Sequence, residues 1–448
     1  MTAHFIKQLA ILSFCLLSNL SFGQQVIYSS PMQGPTTDTS AFLWTELSAE
    51  AKHLSLTITD DSDKVRFQVD SNFKGNPEFD FRPVTFHINN LLPGHSYRYE
   101  LMADDYGRTG VLINSGSSPV WQQQTPGKNF SFITGSCAFL DGGWDSTGIR
   151  YHGDTSIFYR MAHSGADFML WLGDNWYTGK GEYDSRQGLF RKAHTTRMSP
   201  VLQDLFINMP HYTIWDDHDY GTDNAGKTYK FKNDSRDVFM NYWPAFSYGE
   251  NGKGIYTKFN YNGIAFFLMD DRTWRSDETA INYLKFGAKT MFGKQQMEWL
   301  KKSLLEQKDA PFKIIATGTQ VLAHHTNRDA MRRFPKEFHE LMKFIADNKI
   351  NGVIFLTGDR HFSEIVKEER KGHYPLYDIT ISSFSSSTEY ANHKEKNSGQ
   401  VVPGTLYEDH NYGRITITNG TKLHVDIINT KGITVAKWEI TADALKDH

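Results

Sequence analysis

Five apolar runs in the second part of the chain each stop at a small or polar residue. Residues 130–134 run into Gly135-Ser136-Cys137, residues 167–172 into Gly173-Asp174, and residues 212–215 into Asp216-Asp217-His218-Asp219. Residues 312–316 run into Thr317-Gly318-Thr319-Gln320, and residues 353–357 into Gly358-Asp359-Arg360-His361. Such runs, with little alternation, predict strands buried on both faces. Residues 264–269 predict another, closed by Asp270-Asp271-Arg272. Helical periodicity lies between them. Asp154 or Thr155 caps a helix with Ile157, Phe158, Met161 and Ala162 on its apolar face, and Gly165 ends it. Residues 294–307, through Met297, Leu300, Leu304 and Leu305, and residues 336–348, through Phe338, Leu341, Met342 and Ile345, predict two more. Strands resume at 376–382, 414–418, 422–428 and 433–439, which suggests a second sheet stacked on the first.

The first part reads differently. Between residues 25 and 125, short alternating runs at 40–44, 54–58, 65–69, 84–88 and 97–101 are separated by Gly, Pro, Asn and Asp, the pattern of an all-β sandwich. Leu92-Pro93-Gly94-His95-Ser96-Tyr97 resembles the tyrosine corner of fibronectin type III-like domains. Residues 124–128 read as a linker. The expected organisation is a signal peptide at 1–23, a β-sandwich at 24–125 and an α/β domain at 126–448. The leader combines Lys7, an apolar stretch from Leu9 to Leu20, and Ser21-Phe22-Gly23. It is short for a span, so cleavage and export, to the periplasm or the medium, are expected, with no membrane span afterwards.

Composition narrows the chemistry. The chain has 448 residues and a formal net charge of −3, which gives no electrostatic case for nucleic acid. A monomer is expected. Cys15 leaves with the leader, so an exported form keeps Cys137 alone and has no internal disulfide. A lone thiol in an oxidising compartment has to be buried or ligated, and a position just past a strand end favours ligation.

In open α/β sheets, ligands bind beyond the carboxyl ends of the strands. Asp174, Asp217, Asp359, His361, Cys137 and, three residues after Asp174, Tyr177 all fall there. Clustered carboxylates repel and raise one another's pKa unless cations offset them. Two metals sharing one carboxylate would do so, clamp an anionic ester and activate a water. A phosphate ester suits such a clamp, because its transfer depends on positioning and charge neutralisation. His218, between two acids, is placed to protonate a leaving group or to bind phosphoryl oxygens. His152, Lys180, Arg236, Asp271 and Arg272 are further candidates for substrate or outer contacts, His324 and His325 for the surface or rim, and residues 382–387 for a rim loop.

Gly135-Ser136-Cys137, Gly173-Asp174-Asn175-Trp176-Tyr177, Trp215-Asp216-Asp217-His218-Asp219 and Gly358-Asp359-Arg360-His361, in this order, resemble the PhoD-like alkaline phosphatases of the calcineurin-like metallophosphoesterases. The Gly-Asp-x-x-Tyr element also resembles purple acid phosphatases. The resemblance implies a two-sheet α/β/β/α metallophosphoesterase sandwich behind a fibronectin III-like domain. It implies an exported phosphatase that hydrolyses phosphate monoesters through a dinuclear centre and a metal-bound hydroxide. Asp174 would bridge the metals. Cys137, Tyr177 and His361 would complete a ferric site, and Asp217 and Asp359 would hold a second metal, calcium, zinc or another iron. Asp217 and His218 would be catalytic, and His218, Gln320 and Arg272 substrate contacts. Gln320 stands where the wider superfamily often has a metal histidine, which leaves it open as a weak ligand, a substrate contact or packing. The rival readings are a phosphodiesterase or phospholipase D-like activity on the same metals, and a surface-binding protein with an inactive site.

Overall fold

A computed structural model describes residues 26–74, 77–93, 95–112, 117–118, 129–140, 154–277, 289–324 and 330–447. The expected leader and linker, His152 and His325 lie outside these residues. Among the described residues, no helix is long and apolar enough to cross a membrane.

Two small sheets form the N-terminal part. One has the strand order Ile27–Thr36, Ala41–Ser48, Phe81–Ile88, and the other Val65–Asn72, His53–Asp60, Tyr97–Ala103, Tyr106–Leu112. Leu43, Leu47, Leu54, Leu56, Ile58 and Leu101 fill the space between them. The Tyr97 hydroxyl turns back to donate to the Leu92 carbonyl at 3.0 Å, the tie expected of a tyrosine corner. The outer face of the three-stranded sheet is not free. Met32, Trp44 and Phe81 share a core with helices of the α/β part, and Trp44 Nε1 donates to the Asn241 carbonyl at 2.7 Å.

Two larger sheets stack behind. The six-stranded sheet runs His211–Ile214, Phe168–Leu172, Phe130–Gly135, Asn411–Thr418, Lys422–Asn429, Thr434–Thr441. The seven-stranded sheet runs Glu364–Arg370, His373–Thr380, Val353–Thr357, Lys313–Thr317, Ile264–Leu268, Thr257–Tyr261, Ser117–Ser118. Ser117–Ser118 precedes the expected domain boundary yet pairs with the edge of this sheet.

Both faces of the central strands are used, which explains their unbroken apolar runs. Phe168, Leu170 and Leu172 point into the core between the sheets with Phe132, Phe266 and Ile314. Met169 and Trp171, one residue out of phase, meet the helices Ser156–Ala162 and Pro200–Asn208 through Ile157, Phe158 and Leu205. Each large apolar side chain buried this way contributes roughly 1.5–3 kcal/mol. The two other predicted helices form at Gly293–Glu306 and Pro335–Asp347.

The register fixes where chemistry can occur. Trp171 is level with Gly135, and Leu172 with Ile214, in parallel pairs. Thr317 is level with Thr357, and Leu268 with Ala316, also in parallel. Strands that end level deliver their next residues to one edge. The two edges are stitched together: Asp359 N donates to Ser136 Oγ at 3.1 Å, and Phe384 N to the Ser136 carbonyl at 2.9 Å.

Candidate metal centre

Cys137, Asp174, Asp359 and His361 all sit just past strand ends with left-handed backbones, at φ of 65°, 50°, 68° and 57°. An L-residue visits that region only at a cost, and such residues gather at functional sites. Here the kink turns each side chain off the strand axis toward one point. Gly173 makes room: a Cβ there would lie 2.6 Å from Asp216 Cβ and 2.7 Å from Asp216 N.

Three sets of ligand atoms form at these strand ends, each with its members within 4.8 Å of one another. They are Cys137, Asp174 and His361; Asp174, Asp217 and His218; and Asp174, Asp216, Asp217 and Asp359. Asp174 belongs to all three. Its Oδ2 takes the Tyr177 hydroxyl at 3.1 Å and the Cys137 thiol at 3.5 Å, while its Oδ1 takes the His218 amide at 3.3 Å. One carboxylate therefore faces a thiol and a phenol with one oxygen and the Asp217–His218 turn with the other.

The ring of supporting contacts is polar and specific. The Tyr177 hydroxyl lies 3.2 Å from His361 Nε2, and Nδ1 of that ring meets Ser387 Oγ at 2.9 Å, the kind of outer contact that fixes a ligand imidazole. Ser382 Oγ donates to Cys137 Sγ at 3.1 Å, and the Ser385 and Ser386 amides donate to the Cys137 carbonyl at 3.2 and 3.1 Å. The serine loop is thus a second layer around the thiol and the imidazole. Asp217 is held by the His218 amide at 3.0 Å and the Asn224 amide at 2.6 Å. The His218 ring stacks on Tyr177 with centroids 4.2 Å apart.

The electrostatics fit a cation site. Burial pushes the Asp174 carboxyl far up, and Cys137 and Asp217 push it the same way. Burial and then Asp217 raise Asp359 to about 6. Burial raises the Cys137 thiol to about 11 and, with Asp174 next, raises the Tyr177 phenol as well. Burial works against ionisation of Asp217 too, but His218, Arg272 and the Asn224 amide overcome it and hold this carboxyl low. A buried site that disfavours its own anions in this way is one that divalent or trivalent cations would stabilise. Thiolate, phenolate, imidazole and carboxylate are also the donors that transition metals select.

Two residues expected to contact substrate are buried against protein partners. Arg272 is fully buried, and its guanidinium grips Asp216, with Nε 2.6 Å from Oδ1. Gln320 is also fully buried: its Nε2 donates to Glu364 Oε1 at 3.0 Å and Thr380 Oγ1 at 2.9 Å, and its Oε1 accepts from Arg360. Both side chains are committed to protein partners. Asp271 is likewise internal, accepting from the Thr319 amide at 3.0 Å. His324 pairs with Glu368 at 2.7 Å on the surface, and Lys180 is exposed.

Asp216 is the residue that sequence reasoning missed. It lies inside the Trp215–Asp219 motif, and the signal was present: a carboxylate directly after a buried strand, with an arginine after the buried strand Ile264–Leu268 of the other large sheet.

Stacked sheets whose strand ends meet at a carboxylate-rich ligand cluster define a metallophosphoesterase-like fold. Residues 132–426 match the sequence model of the PhoD-like phosphatases, and the chain belongs to that family. It is 25% identical over 334 residues to Alkaline phosphatase D of Bacillus subtilis (strain 168), a match covering 62% of this chain and 53% of that protein. The chain thus spans about half the length of the curated relative it matches. Its fold is similar to the solved structure of PhoD, with a TM-score of 0.77 at 17% identity, over 95% of this chain and 92% of the other. It is also similar to purple acid phosphatase PPD1 from yellow lupin seeds, with a TM-score of 0.64 at 11% identity, over 93% and 74% of the two chains.

Proposed function

We propose that this protein is an exported, metal-dependent phosphatase that hydrolyses phosphate monoesters at a dinuclear centre. The observation that carries the reading is the sharing of Asp174 among all three ligand sets. Cys137, Tyr177 and His361 on one side of Asp174 would hold a ferric ion, and Asp217 and Asp359 on the other a second cation, calcium, zinc or iron. When bound, such a pair supplies charge neutralisation for the phosphoryl oxygens and an acidified water as nucleophile.

The protein's own contribution is placement. Left-handed kinks at four ligands, and the Ser382 and Ser387 hydroxyls behind two of them, preset the donor atoms before any substrate arrives. Stacking on Tyr177 holds the His218 ring at the mouth of the Asp174–Asp217 cluster. From there its imidazole would bind a phosphoryl oxygen or give a proton to the departing alkoxide.

Turnover of p-nitrophenyl phosphate against bis(p-nitrophenyl) phosphate, on the metal-loaded protein, tests the substrate class. A higher kcat/KM for the monoester supports the reading. A preference for the diester replaces it with a phosphodiesterase on the same metals. Absence of both activities in a protein that holds its metals would favour a binding role.

A further inference from the structure

A cavity of about 270 Å³ opens among segments that continue from the candidate metal centre, and its charged lining is cationic. Lys227, Lys232, Arg236 and Lys253 line it, with the half-buried ring of Trp274 as its floor and no acidic residue among its lining. Lys227 Nζ donates to Ser276 Oγ at 3.0 Å, and Lys232 Nζ to the Lys227 carbonyl at 2.6 Å. Arg236 spends Nε on the Gly254 carbonyl at 2.9 Å and Nη2 on the Tyr248 carbonyl at 3.1 Å, which fixes the plane of its guanidinium. Among the described residues, none of the four forms an ion pair. Gly254 lets the wall close up, since a Cβ there would lie 2.6 Å from the Trp274 ring.

Two further features point the same way. The helix Lys232–Tyr242 begins at this cavity with no side-chain cap, so its first-turn amides add positive potential, while the carboxylate of Asp234 in the same turn is taken up by Arg186 at 3.1 Å. The cavity is also walled by the continuation of two segments that build the metal centre. Asn224, whose amide holds Asp217, is three residues from Lys227, a span of roughly 10 Å at most. Arg272, which grips Asp216, is followed directly by Thr273 and Trp274. Lys227 N donates to the Arg275 carbonyl at 2.8 Å and ties the two segments together.

We propose that this cavity is an anion subsite that takes a second phosphoryl group of a substrate whose scissile phosphate sits at the metal centre. The role given to its ligand rests on the phosphatase reading; the anion site itself does not. Trp274 offers an apolar face to the part of the molecule that joins the two phosphates.

Tripolyphosphate binding to chelator-treated full-length protein, by calorimetry, reads the site without turnover. The wild type binds, and the Lys227→Ala/Lys253→Ala double variant, with two exposed side chains removed, binds roughly tenfold more weakly. Affinity in the wild type also falls as salt is raised. Equal affinity in wild type and double variant overturns the proposal, as does an absence of binding to the wild type. The metal-loaded proteins then give the ratio of kcat/KM for fructose 1,6-bisphosphate over fructose 6-phosphate. A ratio that drops in the variant supports the substrate role, and an unchanged ratio overturns it. If neither these sugar phosphates nor p-nitrophenyl phosphate is hydrolysed while the tripolyphosphate difference stands, the phosphatase reading and the substrate role fail and the anion site survives.

Discussion

Arg272 Nε lies 2.6 Å from Asp216 Oδ1, with both side chains shut away from solvent. Burial pushes the Asp216 carboxyl up, and the guanidinium opposes it. Asp216 in turn stands within ligand distance of Asp174, Asp217 and Asp359. Arg272 is therefore the protein's own partial answer to a concentration of buried negative charge, set from behind the site.

Removing that cation leaves the carboxylate stranded. Arg272→Met should lower the free energy of unfolding by about 3–5 kcal/mol, the usual cost of breaking one half of a buried pair. Arg272→Lys should recover only part of this, because an ammonium cannot reproduce the planar fork. Urea unfolding of the two variants checks both. A loss confined to KM, with stability intact, would restore Arg272 to substrate binding.

Gln320 gives a second separation of support from catalysis. Gln320→Leu should cost about 1–3 kcal/mol, since it strips partners from buried Arg360, Glu364 and Thr380. KM should stay near the wild-type value. Thermal unfolding and steady-state kinetics on one preparation decide it, and a raised KM with unchanged stability would show a substrate contact instead.

These two residues mark the limit of what the sequence discloses. The strands that carry Cys137, Asp174, Asp217, Asp359 and His361 are legible because burial on both faces leaves an unbroken apolar run that stops where the site begins. The direction of a long side chain is not written in such a run. Arg272 and Gln320 both follow buried strands, as the candidate ligands do, yet both turn inward to partners distant in sequence. Some elements are hidden for related reasons. Tyr106–Leu112 is largely exposed and carries two glycines, so it shows no alternation. The helix Arg186–Arg197 buries Lys192 and Arg197, the latter with its guanidinium 3.7 Å from the Trp243 ring centroid, so a charged residue occupies the place of an apolar one.

His211 should make stability depend on pH. Its Nδ1 accepts from the Trp171 indole at 3.0 Å and its Nε2 donates to the Leu205 carbonyl at 3.0 Å, an arrangement that requires the neutral ring. Burial depresses its pKa from 6.5 to about 3. The unfolded chain takes up this proton below 6.5 and the folded protein does not until about 3. The contribution is therefore complete above 6.5 and is lost as pH falls between these values, at about 1.4 kcal/mol per pH unit. Between pH 7 and pH 5 the wild type should lose roughly 2 kcal/mol that His211→Gln does not lose. Urea unfolding at the two pH values measures it, and equal slopes would contradict the assignment.

The central claim is that Asp174 is shared by two metal ions. The direct test is metal content per chain by mass spectrometry, with p-nitrophenyl phosphate turnover, for the wild type and Asp174→Ala. Two metal ions are expected in the wild type, with loss of metal and no measurable turnover in the variant. A variant that keeps both metals and near-normal activity would contradict it.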